Sequence, residues 1–418
     1  VSLDRRFAGA MGALVGPDFP ADLGLAVSGG GDSMAMLHLA APWARVMGIR
    51  LRVATVDHGL RAEAAAEAAL VADEARGLGL PHDVLRWTWD GQGNLMDAAR
   101  RARLGLLGRW IGPGGHLAFA HTGDDLAETF LLRLKRGSGV EGLSAMAGRQ
   151  PVGDWVQLRP LLDVSRADLR HYLRNLRIPF AEDPTNEDPA FDRARIRRLL
   201  DALDAEGLTR DTLAATARRL SRAREALEAR AEDVARRAVL RDMPEGTVAL
   251  DRDAFAAGEP DTRLRLFAAA LQFVARADYR PRATALEDAL DRLLAGGTVT
   301  LHGCMAVARG ARLTLFRELE AVAGEAAPAD GNALWDDQWT HGPSGNRHLQ
   351  VRALGPRGLA LIPDADRRGL PAALWHGRPA LWDEGRLVAA PDLGHGPAIR
   401  RARRPPAAGT LAARLFSH

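Results

Sequence analysis

A single cysteine, Cys304, occurs in 418 residues. That excludes an internal disulfide, a Cys-x-x-Cys redox pair and any cysteine-built zinc or iron–sulfur site within the chain. Cys304 itself reads as a small packing residue in a strand-rich stretch. Lysine is as scarce: Lys135 stands alone, so the basic side of a net charge of +3 is almost all arginine. Codon choice in a GC-rich genome accounts for most of that bias, yet arginine also offers phosphate a two-pronged donor. No apolar run approaches the roughly 18 residues that a membrane span needs. No long apolar block follows Asp4, Arg5 and Arg6, so the expectation is a cytoplasmic protein without a secretory signal. Acidic residues stop at Asp392, while Arg400, Arg401, Arg403, Arg404 and Arg414 follow. A basic end on a nearly neutral chain suits contact with a polyanion, and equally suits a solvated end.

The composition, 47% hydrophobic and 26% charged, is that of a globular protein, and the length calls for two or three domains. Short apolar strands alternate with helical stretches in the first half. Strands are expected at Leu23–Val27, Leu51–Val56, Pro81–Trp87 and His116–Ala120. Helices are expected at Met34–Ala41, Ala62–Gly77, Asn94–Trp110 and Asp124–Arg136. Such alternation predicts an α/β fold with a parallel sheet, whose ligands sit at the carboxyl ends of the strands. Beyond it, Leu213, Leu220, Leu227 and Val234 recur every seventh residue, which predicts one long helix over Thr209–Leu240. More helix is expected at Arg263–Val274 and Thr284–Ala295, then a β-meander over 298–316. The run Ala323–Gly331 reads as a linker, with strands at Leu349–Leu354, Ala380–Trp382 and Leu387–Ala390 after it. The expected layout is an α/β domain over 1–205, a mixed helical domain over 206–322 and a β-rich domain over 332–418.

Ser28-Gly29-Gly30-Gly31-Asp32-Ser33 falls between the first strand and its helix. Glycines let backbone N–H groups close around an anion, and the helix start adds its positive end. Ser28 and Ser33 can donate hydroxyl bonds to phosphate oxygens. Asp32 would repel a phosphate, and a carboxylate beside a triphosphate points to a bridging Mg2+. No G-x-x-x-x-G-K-[ST] run is present, so this is not a Walker loop. It resembles the phosphate loop of the PP-loop ATP pyrophosphatases, whose members split ATP between its α and β phosphates and adenylate a carbonyl oxygen.

Further runs narrow the resemblance. Val56-Asp57-His58-Gly59-Leu60-Arg61 follows the second strand, and Ala120-His121-Thr122-Gly123-Asp124-Asp125-Leu126-Ala127-Glu128-Thr129 the fourth. Then come Lys135-Arg136-Gly137-Ser138-Gly139, Arg159-Pro160-Leu161-Leu162, Glu182-Asp183-Pro184-Thr185-Asn186, and Asp192-Arg193 ahead of Arg197. In this order they resemble the tRNA(Ile)-lysidine synthetase family, densely over residues 22–200 and weakly in the C-terminal half. The resemblance implies ATP-dependent adenylation of the first anticodon cytidine of tRNA(Ile) with a CAU anticodon. Attack by free lysine then gives lysidine, AMP and pyrophosphate.

It assigns ATP to Ser28, Gly29, Gly30, Gly31, Asp32, Ser33, Asp57 and His58, and Mg2+ to Asp32. Asp125 and Glu128 share a helix face and are assigned to the lysine ammonium. Asp32, His121, Arg100 and Arg193 are the catalytic candidates, with Arg103 a further arginine of the same pattern. The sequence departs from the family at Thr122, where a second histidine is usual, at Leu104, where an aromatic is usual, and at Ala194, where an asparagine is usual. Rival readings are a tRNA thiolase, which lone Cys304 does not equip, an amide-forming synthetase, for which no glutaminase nucleophile is evident, and a silent tRNA-binding scaffold. A homodimer is compatible with the sequence.

Overall fold

Leu23 and Leu25 alternate with Gly24 and Ala26 in the first strand, so each face of that strand carries its own apolar set. The computed structural model describes residues 2–59, 63–89, 91, 95–182, 192–277, 279–342, 348–363, 365–404 and 410–416. The chain divides into two units, Val1–Glu225 and Ala226–His418. In the first, β1 (Asp22–Ala26), β2 (Arg50–Asp57), β3 (His82–Arg86), β4 (His116–Phe119), β5 (Arg149–Val152) and β6 (Trp155–Leu158) form one sheet in the order β3-β2-β1-β4-β6-β5. Every neighbouring pair is parallel except the β5–β6 hairpin. Helices α1 (Leu3–Val15), α2 (Gly31–Met47) and α3 (Ala64–Gly77) share a core with Leu23 and Leu25. Helix α4 (Leu95–Ile111) packs on the other set, with Ala26, Leu117 and Phe119. Gly24 allows that approach: a Cβ there would lie 2.7 Å from the Trp110 ring and 2.8 Å from Ile111.

The expected α/β alternation is present, with β1 between β2 and β4. Strand order reverses beside β1, and such switch points open a crevice at the strands' carboxyl ends. Helix α5 (Gly123–Leu134) follows β4, and α6 (Val140–Leu143) precedes the hairpin. After the hairpin come α7 (Arg166–Leu176), α8 (Asp192–Ala205) and α9 (Arg210–Ala238). Helix α1, the hairpin, α7 and α8 lie outside the predicted alternation. The long helix is α9, with Leu213 and Val234 buried.

In the second unit the predicted meander is present: Thr298–Leu301, Cys304–Arg309 and Arg312–Arg317 pair antiparallel. Val248–Asp251 and Val239–Leu240 extend that sheet. Helices Pro260–Ala275 and Ala283–Leu294 pack on it. Cys304 is fully buried there, as its reading as a packing residue expects, and burial pushes its thiol up to about 12. A second sheet joins Ala327–Pro328, Gln350–Ala353, Pro379–Asp383 and Arg386–Ala389. Ala327 thus corrects the expected linker: it pairs with Val351, and Ala327 and Ala329 are buried in a core with Trp335 and Trp339. Small apolar residues filled a gap that their composition disguised.

The basic end is largely engaged by its own fold. Arg401 pairs with Asp392 at 2.6 Å, Arg403 donates to the Phe273 carbonyl at 2.7 Å, and Arg414 meets Glu232 at 2.6 Å. No helix among the described residues is long and apolar enough to cross a membrane.

Candidate active site at the sheet switch point

The β1–α2 loop is held from within. Gly29 has φ +90°, in the left-handed region that glycine takes without strain. A Cβ there would also sit 3.3 Å from Glu67. Ser33 Oγ accepts from the Ser28 N–H at 3.1 Å and donates to the Gly30 carbonyl at 2.9 Å. From the far side, the Ala181 N–H donates to the Gly29 carbonyl at 2.9 Å. The Ser33 and Met34 N–H groups both donate to the Gly30 carbonyl, at 3.1 and 3.0 Å, which folds the loop over the positive end of α2. That is the arrangement of an anion cradle.

The predicted carboxylates converge on one guanidinium that the sequence reading did not single out. Arg166 donates from Nε to Asp32 Oδ2 at 3.1 Å, from Nη1 to Glu128 Oε1 at 3.2 Å and from Nη2 to Asp125 Oδ1 at 3.4 Å. Its backbone N–H donates to Asp124 Oδ2 at 2.7 Å. Arg197 reaches Glu128 Oε1 at 2.7 Å. Burial raises the Asp32 carboxyl above its ordinary range, although Arg166 opposes it. One guanidinium divided among several carboxylates does not offset that burial. Burial alone would lower Arg166, but Asp32, Asp125, Glu128 and Asp124 together hold it above its ordinary value.

A cavity of about 1590 Å³ opens at the switch point, and Ser28, Asp32, His121, Asp125, Arg103 and Arg166 are on its wall. Glu128 is not on that wall. It is 1% exposed, and its Oε2 is buried with no hydrogen-bond partner among the described residues.

His121, just past β4, lies over the Phe119 ring with centroids 6.0 Å apart, and its Nδ1 is buried without a hydrogen-bond partner among the described residues. Burial, with Arg159, Arg103 and Arg193 on the same side of the balance, lowers the imidazole to about 4 despite Asp125. The ring is therefore neutral at pH 7. Because the fold favours the neutral form, the stability it lends is full above pH 6.5 and is lost as pH falls from there towards 4. His121 resonances in an NMR titration are expected to stay unprotonated from pH 8 to about 5.5. A midpoint near 6.5 would contradict this burial.

Thr122 explains one departure from the family pattern. It is the N-cap of α5: its N–H and hydroxyl both donate to Asp125 Oδ2, at 2.8 and 3.0 Å, and its Oγ1 accepts from the Asp125 N–H at 3.4 Å. The reciprocal cap fixes Asp125. Thr122→Ala is expected to cost about 1 kcal/mol of stability, read as a lower melting temperature. The lysine role that the family resemblance implies for Asp125 would add a raised KM for lysine, because the cap no longer fixes its rotamer. An unchanged KM would detach Asp125 from lysine.

Other expected site residues lie apart from the wall. Arg100 and Arg193 are exposed, near enough to Arg103 to lower it after burial has done so. Asp57 caps the Gly59 N–H at 2.9 Å, and His58 stands edge-on to Trp87 at 5.9 Å; both follow β2, beside the cavity strand, and neither lines the cavity. Leu60, Arg61 and the run Asp183-Pro184-Thr185-Asn186 lie outside the described residues. Ala194 is buried, and Leu104 packs in the α4 core.

One signal could have found Arg166. It is the first residue of α7, after the Ser165 cap, where the helix dipole disfavours a cation. A cation there needs carboxylates to hold it. Among the described residues no group of three or more His, Cys, Asp or Glu is placed to hold a metal ion. Asp32, a single carboxylate at the loop mouth, fits a Mg2+ that draws its other ligands from phosphates and water.

The chain is similar in sequence to known proteins. The PP-loop domain family matches residues 3–203. A tRNA(Ile)-lysidine synthase of Ruegeria pomeroyi is 43% identical over 382 residues, covering 90% of this chain and 89% of the relative. One of Wolbachia pipientis is 31% identical over 384 residues, covering 89% and 88%. Among solved structures, a U34-tRNA thiolase of Methanococcus maripaludis aligns with a TM-score of 0.44 at 16% identity, covering 52% of this chain and 79% of that one.

Proposed function

Because the chain belongs to the tRNA(Ile)-lysidine synthase family, we propose that the cavity joins lysine to the first anticodon cytidine of a CAU-bearing tRNA(Ile) in two steps. First, the cytidine 2-carbonyl oxygen attacks the α-phosphorus of ATP. An O–P bond forms, the bond to the β-phosphate bridge breaks, and pyrophosphate leaves. The loop N–H groups and the α2 N-terminus hold the phosphate charge, with Ser28 donating a hydroxyl. A Mg2+ at Asp32 would neutralise charge on the departing pyrophosphate.

Second, the lysine ε-nitrogen attacks C2 of the adenylated base, the C2–O bond breaks and AMP leaves. Asp125 and Glu128 are the carboxylates that capture the ammonium. The nitrogen must shed a proton before it attacks, and the groups proposed to be near enough to take one are the Asp125 and Glu128 carboxylates and the neutral His121 ring, whose Nδ1 has no partner among the described residues. Arg103, Arg100 and Arg193 set a positive field around the end of β4, suited to the α-phosphate or to anticodon phosphates. The base must leave its stack to enter. Residues 206–322 and 332–418 are proposed to hold the rest of the tRNA.

The observation that carries this reading is the meeting of Asp32, Asp125 and His121 on one cavity beside the phosphate loop. Its test is AMP release from ATP with and without tRNA(Ile)CAU. We expect release that requires that tRNA and is lost when the first anticodon cytidine is replaced by uridine. Equal AMP release without tRNA would point to a small-molecule acceptor instead.

A further inference from the structure

Resting on that reading, we propose that Arg166 is a resident stand-in for the lysine substrate: its guanidinium fills the carboxylate pocket until the amino acid displaces it, and so sets the affinity for lysine.

Three features converge on it. The guanidinium holds Asp125 and Glu128, the two carboxylates assigned to the ammonium, and also Asp32 at the phosphate loop. Arg166 and Arg197 line the cavity while Glu128, whose Oε1 they both hold, does not. An ammonium entering from the cavity therefore reaches Glu128 only after Arg166 moves. Glu128 Oε2, buried and without a partner among the described residues, is an acceptor that the guanidinium leaves unused and a smaller –NH3+ can take.

The chemistry makes the two cations alternatives. Ammonium and guanidinium both need several carboxylate acceptors at hydrogen-bond distance, and one pocket cannot serve both. Arg166 sits at the first position of α7, where the helix dipole opposes its charge, so the carboxylates are what keep it in place. Once released, its side chain lies in line with Arg170 and Arg174, one turn apart on the same helix and also on the cavity wall. There the substrate's phosphates supply the counter-charge. Because the same guanidinium also grips Asp32, a nucleotide that engaged Asp32 through a cation would remove one anchor and ease lysine entry. A lysine site occupied by an internal cation has an apparent affinity reduced by the fraction of time that it is free.

The test compares wild type with Arg166→Gln, Arg166→Lys and Arg166→Ala. We expect Arg166→Gln to lower the KM for lysine by about tenfold or more, with Arg166→Lys between it and wild type. Millimolar guanidinium chloride is expected to raise the lysine KM of Arg166→Ala and to leave wild type unchanged. An equal or higher KM in natively folded Arg166→Gln overturns the proposal. If Arg166→Gln does not fold by circular dichroism, a raised KM in Arg166→Lys overturns it instead. Calorimetric titration of lysine makes the same comparison without turnover. Wild type that binds lysine but never forms lysidine would reject the functional reading alone, and turnover with unaltered lysine affinity across the variants would reject this inference alone.

Discussion

Asp32→Asn is expected to abolish tRNA-dependent AMP release, by about a thousandfold or more, while leaving the protein folded. The functional loss follows from position. Asp32 opens α2 on the cavity wall beside the Ser28–Ser33 loop, and its carboxylate is the metal link of the proposal. Removing one preorganised charge-stabilising group from such a site typically costs two to three orders of magnitude, and loss of the metal link adds to that. The stability argument runs the other way. Burial raises the Asp32 carboxyl above its ordinary range, so the fold disfavours the ionised form, and at pH 7 the charge works against folding. Asparagine keeps the shape and drops the charge. A melting temperature that holds or rises, with activity gone, is the expected pair of results. Near wild-type AMP release would contradict the role given to Asp32.

Glu128→Gln is expected to separate the two steps. Lysine capture loses a buried carboxylate, and truncating one side of a desolvated charge pair costs about 2–4 kcal/mol, equivalent to a rise of roughly 30- to 1000-fold in the lysine KM. The phosphate loop is untouched, so tRNA-dependent exchange of labelled pyrophosphate into ATP should persist. The melting temperature should fall, because Arg166 and Arg197 lose the negative charge they share. That fall is moderated by solvent, since their side chains are 21% and 25% exposed. Loss of exchange together with lysine transfer would place Glu128 in the adenylation step instead.

How far the sequence revealed this site depended on distance along the chain. The loop was legible because its parts are contiguous: an apolar strand, three glycines and a helix with Asp32 in its first turn. Asp125 and Glu128 were legible because three residues on a helix bring side chains to one face. Arg166 was not, because its bond to Asp32 spans 134 positions and a periodicity reading sees only neighbours. Thr122 looked like a missing histidine and is a helix cap, a role that threonine fills and that needs the α5 start to be located first. Short apolar runs alternating with helical stretches gave the parallel core strands. It missed α7, whose few buried contacts, Leu169 and Leu173, are set among arginines. The linker reading of 323–331 failed for a related reason: alanine and proline mark a loop by composition, while Ala327 and Ala329 are buried by what folds over them.

The most direct measurement follows radiolabelled lysine into tRNA. The protein is mixed with ATP, labelled lysine and tRNA(Ile) bearing a CAU anticodon, and both label in the tRNA and AMP are counted. The account predicts stoichiometric incorporation, one AMP for each lysine, lost in Asp32→Asn and recovered in Glu128→Gln only at high lysine. AMP formed in step with tRNA but with no lysine in the product would contradict it, because the Asp125 and Glu128 pocket would then serve some other nucleophile.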